Sequence, residues 1–234
     1  MPSFAIGATF SGIHAIYPRS PEIIAVYPIL SATIQPHSQE IRFHRGDSFD
    51  LDVTVQNDLD PPSVVSIPGS VLRFAVSQGF GEIPGGGLIA DAILVRKSSY
   101  DAREIEVTDA VNGRAKIHIR RKDTYGLPRV PMTWGLEITT PYDVITASLL
   151  VSSFAGDSTV LVQGGDLVAL GVEAGDIMLI DGIYVLVADV LSSMSLLSDS
   201  SSMPTLSSSP ATLYRGQTRL VASGPWTVLG NPLL

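Results

Sequence analysis

The side chains that could bind a metal or act in catalysis are scattered along this sequence. The four histidines, at positions 14, 37, 44 and 118, are not spaced as metal ligands, and no Gly-x-Ser-x-Gly nucleophile motif is present. The chain has no cysteine, which excludes disulfides, a thiolate nucleophile and cysteine-based metal sites. We therefore predict no catalytic residues, no cofactor and no metal site. A catalytic triad assembled only by folding is the alternative that this reasoning leaves open.

Two carboxylates lie close together at the start of a predicted strand. Asp50 and Asp52 alternate with apolar residues, so both side chains lie on one face of that strand. Their oxygens could contribute to a calcium site. The same alternation is typical of a solvated outer face whose charges discourage edge-to-edge pairing, and we favour this second interpretation.

The sequence has one concentrated basic segment, from 114 to 122. On a strand, its basic side chains alternate with Ala115, Ile117 and Ile119 and form a positive stripe on one face. The stripe is either the ordinary polar face of an antiparallel strand or a docking strip for an acidic partner, such as the acidic module of another copy. The residues expected to contact that partner are Arg114, Lys116, Arg120 and Arg121.

Composition limits the classes of function further. The chain has 23 acidic and 15 basic residues and a net charge of -8, which argues against a nucleic-acid partner bound through phosphate neutralisation. Pro28 and Asp181 interrupt the longest apolar runs, so we expect no membrane span and no membrane partner. No Lys or Arg precedes the apolar residues of the N-terminus, so we expect no signal peptide and a cytoplasmic product.

The elements that must position these residues are predicted to be β-strands. From residue 41 the apolar residues recur every second position, which predicts strands near 49–55, 71–76, 105–107, 115–119, 134–138 and 145–149. Short alternating strands separated by turn residues are typical of an antiparallel β-sandwich. The pair Asn112 and Gly113 predicts a two-residue hairpin turn with positive φ at both positions.

The composition changes after residues 152–156. Strands are predicted near 159–162, 177–180 and 184–190, and no Lys or Arg occurs between 157 and Arg215. This pattern predicts a small acidic β-barrel or sheet, with a tight turn at Asp181 and Gly182. Residues 198–210 contain seven serines and two prolines, which predicts a mobile loop or a break between strands.

The two ends of the chain are apolar and contain several prolines. Residues 1–38 carry only Arg19 and Glu22 as charged residues, and the prolines prevent a continuous helix. Such a segment needs a surface to cover it, either its own domain, as a meander with edge strands, or a neighbouring subunit. The same holds for the C-terminal tail, residues 226–234. The residues expected to contact a partner are Ile23, Ile24, Tyr27 and Trp226.

Two parts of the sequence resemble proteins of tailed bacteriophages. Residues 43–55 (FHRGDSFDLDVTV), 105–117 (IEVTDAVNGRAKI) and 134–138 (WGLEI) are similar in order and spacing to the immunoglobulin-like domain of baseplate upper proteins. Residues 171–186 (GVEAGDIMLIDGIYVL) resemble the small β-module of phage fibre and tail-associated proteins.

The resemblance implies an all-β protein with an immunoglobulin-like β-sandwich and a second, small β-barrel-like module. The predicted organisation is an extended N-terminal arm over 1–38, the sandwich over 39–152, and the acidic module with its apolar tail over 153–234. The resemblance also implies a non-enzymatic structural component of the virion that joins neighbouring subunits in the tail, baseplate or fibre attachment. The virion would be assembled in the host cytoplasm. The expected partners are other virion structural proteins, and we expect a homo-oligomer.

Two other functions stay open from the sequence. One is a capsid decoration or cement protein, which the modest length and the arm would suit. The other is a carbohydrate-binding module, because β-sandwiches often hold glycans on aromatic platforms. The aromatic residues available for such a platform are Trp134, Trp226, Tyr125, Tyr142 and Tyr184.

Overall fold

In the described part of the chain the regular elements are almost all β-strands, which confirms the predicted all-β, sandwich-like class. In this computed structural model, the described part of the chain contains one helix, α1 (Arg121–Tyr125), of five residues. No helix in that part is long and apolar enough to cross a membrane. The structure describes residues 22–27, 37–38, 40–57, 63–78, 93–200 and 203–229.

The strands form a small four-stranded sheet and a larger mixed sheet. In chain order they are β1 (Glu22–Tyr27), β2 (His37–Ser38), β3 (Ile41–His44), β4 (Phe49–Asn57), β5 (Val71–Gln78), β6 (Ile93–Ser98), β7 (Ile105–Asp109), β8 (Arg114–Ile119), β9 (Met132–Ser153), β10 (Thr159–Gln163), β11 (Ile177–Ile180), β12 (Ile183–Ser192), β13 (Ser195–Ser198) and β14 (Leu206–Leu229).

The small sheet has the strand order β1-β4-β8-β7. In β4, Leu51, Val53 and Val55 are buried, whereas the intervening residues are only partly covered, as the period of two predicts. β8 pairs with β4 in antiparallel register and buries its alternate residues in the same way. One face of this sheet therefore lies on a core and the other is accessible to solvent.

The larger sheet completes the sandwich. The second half of β14, the first half of β9, β5 and β6 lie side by side in that order, and β2 and β3 pair in parallel with the other side of β14. The inner faces of both sheets form one core, in which Trp226 packs on Phe43 and Phe74 with ring centroids 4.9 and 5.5 Å apart. Phe74 also stacks on Trp134, so aromatic rings occupy the centre of the sandwich.

The second module is a closed barrel, which confirms the predicted barrel-like module. β14 pairs with β11, and the pairings then run through β12, β13 and β10 to β9, which pairs with β14 again. Aliphatic side chains fill the interior, among them Leu149, Val160, Met178, Leu196 and Leu213. A closed ring of strands leaves no free strand edge in its wall.

Two long strands pass through both modules. β9 has 22 residues and β14 has 24, and they pair in antiparallel register with five register shifts. The strands predicted at 134–138 and 145–149 are therefore one strand, which passes through Pro141 opposite Gly216 beside a shift. β14 contributes to both cores, so the predicted division at residue 152 does not separate them.

The two predicted tight turns differ in the structure. Asp181 and Gly182 have φ of 49° and 84° and join β11 to β12 directly, as a two-residue hairpin requires. At the other turn only Gly113 has positive φ, and Asp109 pairs with Arg114 across a four-residue loop. The prediction of a two-residue turn there is wrong, because the Asp109 carboxylate accepts hydrogen bonds from the backbone and side-chain amides of Asn112 and closes a longer loop.

Part of the predicted arm lies in the sandwich of its own chain. β1 pairs in parallel with β4, and β2 pairs in parallel with β14. The register places Ile23, Ile24 and Tyr27 opposite residues 53, 54 and 57 of β4. For these stretches the structure shows the alternative of an edge strand folded on its own chain, and the remainder of 1–38 lies outside the described residues.

Candidate interaction surfaces

The predicted basic stripe lies on the outer face of β8, between two acidic strands. His118 Nδ1 lies 2.8 Å from Asp50 Oδ1, and Lys116 Nζ lies 3.8 Å from Asp52 Oδ1. On the other side, Arg114 stands opposite Asp109 of β7. The positive stripe and the paired carboxylates of β4 are therefore neighbours on one face, and each offsets the charge of the other.

This arrangement favours the simpler interpretation of both charge patterns. Lys116 and Asp52 are more than a third exposed, and such cross-strand pairs stabilise a sheet only modestly. The Asp50 and Asp52 carboxylates face basic side chains, and no group of three or more metal-binding side chains occurs in the described ranges. The interpretation of the outer face as an ordinary solvated one fits this geometry, and the stripe on β8 has little net charge to attract a partner.

The exposed positive charge lies beyond the end of β8, at a surface that we call the α1 corner. Topology brings two further arginines to the end of the basic segment, and Arg120 Nη2 donates to the carbonyl of Arg103 at 3.3 Å. The Arg121 guanidinium lies 5.8 Å from the ring centroid of Tyr125, within cation–π range. All five basic residues of the corner are exposed: Arg45, Arg103, Arg120, Arg121 and Lys122.

The carboxylates near the α1 corner already have partners. Asp123 accepts hydrogen bonds from the Lys97 ammonium and from the Arg120 backbone amide. Asp101 binds the Arg103 guanidinium, and this hydrogen bond lowers the pKa of the Asp101 carboxyl below its ordinary value. The acidic side chains therefore hold the local structure together, whereas Arg121 and Lys122 are exposed to solvent.

The framework of the corner is rigid. The Thr124 hydroxyl is buried and donates to the Asp47 carbonyl at 2.7 Å, which fixes α1 to the loop before β4. Arg45 Nη2 donates to the Leu127 carbonyl at 2.7 Å from the other side. Lys97 is only 2% exposed and pairs with Asp123, so a buried ion pair ties α1 to β6.

The barrel presents a surface of opposite character, which we call the barrel wall. It is built from β9, β10, β12 and β13 and their turns, where Leu161 lies between Ser152 of β9 and Ser195 of β13. Five of its apolar side chains are 40% to 70% exposed, and exposed apolar side chains grouped on one surface are typical of an interaction site. The wall consists of Leu150, Phe154, Leu161, Leu191 and Met194 together with the exposed carboxylates Asp157 and Asp189.

A cleft of about 390 Å³ lies at the seam between the two modules. Arg73 of the sandwich donates to Glu137 at 2.7 Å and to Asp199 of the barrel at 3.3 Å. Burial works against the charge of Arg73, but the two carboxylates outweigh it and raise the pKa of the guanidinium. The Arg73, Glu137 and Asp199 side chains bind one another, so they fix the barrel against the sandwich.

Aromatic contacts strengthen the same seam. The Tyr100 hydroxyl accepts a hydrogen bond from the Leu186 amide at 3.1 Å, and its burial raises the pKa of the phenol above its ordinary value. A Cβ at Gly69, where φ is +71°, would lie 2.9 Å from the Tyr184 ring, so this loop needs glycine to approach the barrel. The seam is therefore a closely packed contact.

The five aromatic residues considered for glycan binding do not share a surface. Trp134 and Trp226 are buried in the sandwich core, and Tyr184 packs on Tyr214 at the seam. Only Tyr125 and Tyr142 are well exposed, at 64% and 66%. The expectation that Trp226 needs a partner to cover it is corrected, because its own core covers all but 1% of the side chain.

Several residues that matter to these surfaces cannot be recognised from the sequence alone. Arg45 and Arg103 join the α1 corner from separate loops, and Lys97 gives no sign in the sequence that it is buried. The exposed leucines of the barrel wall lie in strands, and the sequence pattern does not show which face of those strands is exposed. The alternating basic segment did indicate where the chain concentrates positive charge.

Comparison with known proteins adds no family to this description, since no family model and no curated protein matches the chain.

Proposed function

We propose that this chain is a non-enzymatic structural component of a tailed-phage virion that joins neighbouring subunits in the tail, the baseplate or the fibre attachment. The proposal rests on the resemblance of residues 43–55, 105–117 and 171–186 to phage virion domains and on the way the chain is built. It implies a homo-oligomer that contacts other virion proteins.

One observation carries the proposal: β9 and β14 run without interruption through both modules. Strands of 22 and 24 residues that pair along their length make the sandwich and the barrel one rigid body. The ion pairs and the Tyr100 contact at the seam add further constraints. A rigid block with two different ends suits a part that must hold its neighbours at fixed positions.

Filled interiors also suit a building block. The inner residues of the sandwich and of the barrel pack against one another in two clusters, and the charged side chains Arg73, Glu137 and Asp199 of the seam cleft are paired with each other. The separation of Tyr125 from Tyr142, with both tryptophans buried, gives no support to an aromatic glycan platform.

The proposal is tested in the phage that encodes the chain. A nonsense mutation early in the gene is grown in a suppressing and in a non-suppressing host, and particles from both are purified and imaged by negative-stain electron microscopy. We expect particles from the non-suppressing host to lack a tail, a baseplate or an attached part, and the suppressing host to restore it. Complete, infectious particles from the non-suppressing host would contradict the proposal.

The same images decide between the tail and the capsid. Intact tails, together with capsids that lack an outer layer or break at low salt, would indicate a capsid decoration or cement protein. Intact capsids with defective tails would place it in the tail.

A further inference from the structure

We infer that copies of this chain associate head to tail, with the α1 corner of one copy bound to the barrel wall of the next. The inference rests on the proposed structural role and adds which surfaces of the chain meet. The two surfaces are complementary in charge and in apolar character.

Charge is divided unevenly between the two ends of the molecule. Between Arg129 and Arg215 the chain has no Lys or Arg, so every formal charge on the barrel strands and their turns is negative until Arg215. Arg215 itself is engaged, since its guanidinium donates to the buried Asp176 at 2.9 Å. The α1 corner has five exposed basic side chains, of which only Arg103 is paired with a carboxylate in the described part of the chain, on a protein whose net charge is -8.

Apolar surface accompanies the charge at both ends. Phe154 is 70% exposed beside Asp157 in the turn after β9, and Leu191 is exposed close to Asp189. At the corner, Tyr125 is exposed beneath the Arg121 guanidinium. Interfaces favour aromatic and arginine side chains at their centres, so a contact of this composition would gain from burial as well as from ion pairing.

The two surfaces lie far apart in one chain. α1 precedes the first residue of β9, and Phe154 follows its last residue. The 22 residues of β9 therefore lie between the two surfaces along the chain. No hydrogen bond or ion pair joins the two surfaces within the described part of the chain, so their complementarity can act only between molecules.

The closed barrel determines the kind of contact. Because its wall has no free strand edge, the wall cannot extend a neighbour's sheet and must bind through its side chains. A contact between two different surfaces of identical subunits is heterologous. It produces a ring when the rotation between neighbours closes and an open filament when it does not.

Charge reversal on each surface tests the inference with the full-length chain. The corner variant is Arg121→Glu with Lys122→Glu, and the wall variant is Asp157→Lys with Asp189→Lys. Each variant places two new charges opposite charges of the same sign on the other surface, so we expect the dissociation constant for self-association to rise by at least about tenfold. Sedimentation velocity across a concentration series at low and high salt measures this constant.

Mixing the two variants provides the decisive measurement. In the mixture, each surface of one variant again meets an opposite charge on the other variant, so we expect assembly to return toward that of the unmodified chain. The matched control is Arg114→Glu with Lys116→Glu, which changes the charge equally on the β8 stripe and should leave self-association within about twofold of the unmodified chain. Circular dichroism checks that all variants are folded.

A full-length chain that stays monomeric at low salt at every concentration would overturn the inference, as would folded variants whose mixture does not assemble. Greater loss of assembly in the β8 control than in the corner variant would also overturn it, because the stripe would then be the contact. None of these results depends on whether particles contain the chain, so the proposed function can survive the failure of this inference.

Discussion

The sandwich and the barrel share two strands but are stabilised by different side chains. The sandwich core is aromatic at its centre, where Trp226 contacts three phenylalanines and Phe74 stacks on Trp134. The barrel core consists of Leu, Val, Ile, Met and Ala. Two sheets packed about 10 Å apart leave room for large rings, whereas a six-stranded barrel encloses a narrower space that aliphatic side chains fill. The same pair of strands can therefore support two interiors.

The largest effect is expected from the aromatic centre of the sandwich. Trp226→Ala removes the ring that joins β3, β4, β5 and β14, and it should lower the free energy of unfolding by about 3–5 kcal/mol. Urea unfolding followed by far-ultraviolet circular dichroism measures the loss. A change under about 1 kcal/mol would show that the ring does not organise this core.

A smaller loss is expected from the barrel. Leu213→Ala creates a cavity in the aliphatic core, and it should cost about 2–3 kcal/mol, less than Trp226→Ala because fewer atoms are removed. Since β14 belongs to both cores, unfolding should remain a single transition in both variants. Two separate transitions in tryptophan fluorescence and circular dichroism would contradict the view that the modules form one body.

The seam between the modules should show a dependence on pH. Tyr100→Phe leaves the Leu186 amide without its acceptor and should cost about 1–2 kcal/mol at neutral pH. The raised pKa of Tyr100 means that its stabilising contribution is complete below its ordinary value of 10.0 and is lost as pH rises above it toward the folded-state value.

The stability difference between the wild type and Tyr100→Phe should therefore shrink above pH 10. Urea unfolding of both proteins at several pH values from neutral to alkaline measures this difference. A difference that stays constant over the whole range would contradict the assigned burial of the phenol.

The smallest effect is expected on the outer face of the small sheet. Lys116→Ala removes a partly exposed ion pair with Asp52, and it should change the free energy of unfolding by less than about 1 kcal/mol. Thermal unfolding at low and at high salt provides the comparison, since screening should reduce even this difference. A loss comparable to that of Leu213→Ala would mean that surface charge matters as much as the barrel core.

The sequence predicted those parts of the fold that depend on local alternation. The strands β4, β5 and β8 follow from the period of two, β10 and β11 follow from short apolar runs between turn residues, and the turn at Asp181 and Gly182 follows from residue type. The other strand boundaries depend on pairing with residues that lie far away in the sequence. The sequence predicts separate strands at 134–138 and 145–149, but the register shift beside Gly216 lets β9 continue through Pro141. Pairing with β9 also makes a strand of the serine-rich residues 206–210.

The candidate surfaces were harder to predict, because charge balance depends on register. The basic residues of β8 suggested a docking strip, and only the alignment of Asp50 with His118 and of Asp52 with Lys116 shows that acidic strands flank it. Arg103 reaches the α1 corner from the connection between β6 and β7. Burial of Trp226 also follows from the partner sheet, since an apolar residue near a chain end looks the same whether its own core or a neighbour covers it.

We propose that this chain is a repeated structural part of a virion. Absolute quantitation of the chain in gradient-purified particles, with isotope-labelled peptides as standards, is the direct test of that role. We expect many copies per particle, in a fixed ratio to the other structural proteins and resistant to salt washing. A chain found only in the soluble lysate, or at fewer than one copy per particle, would contradict the claim.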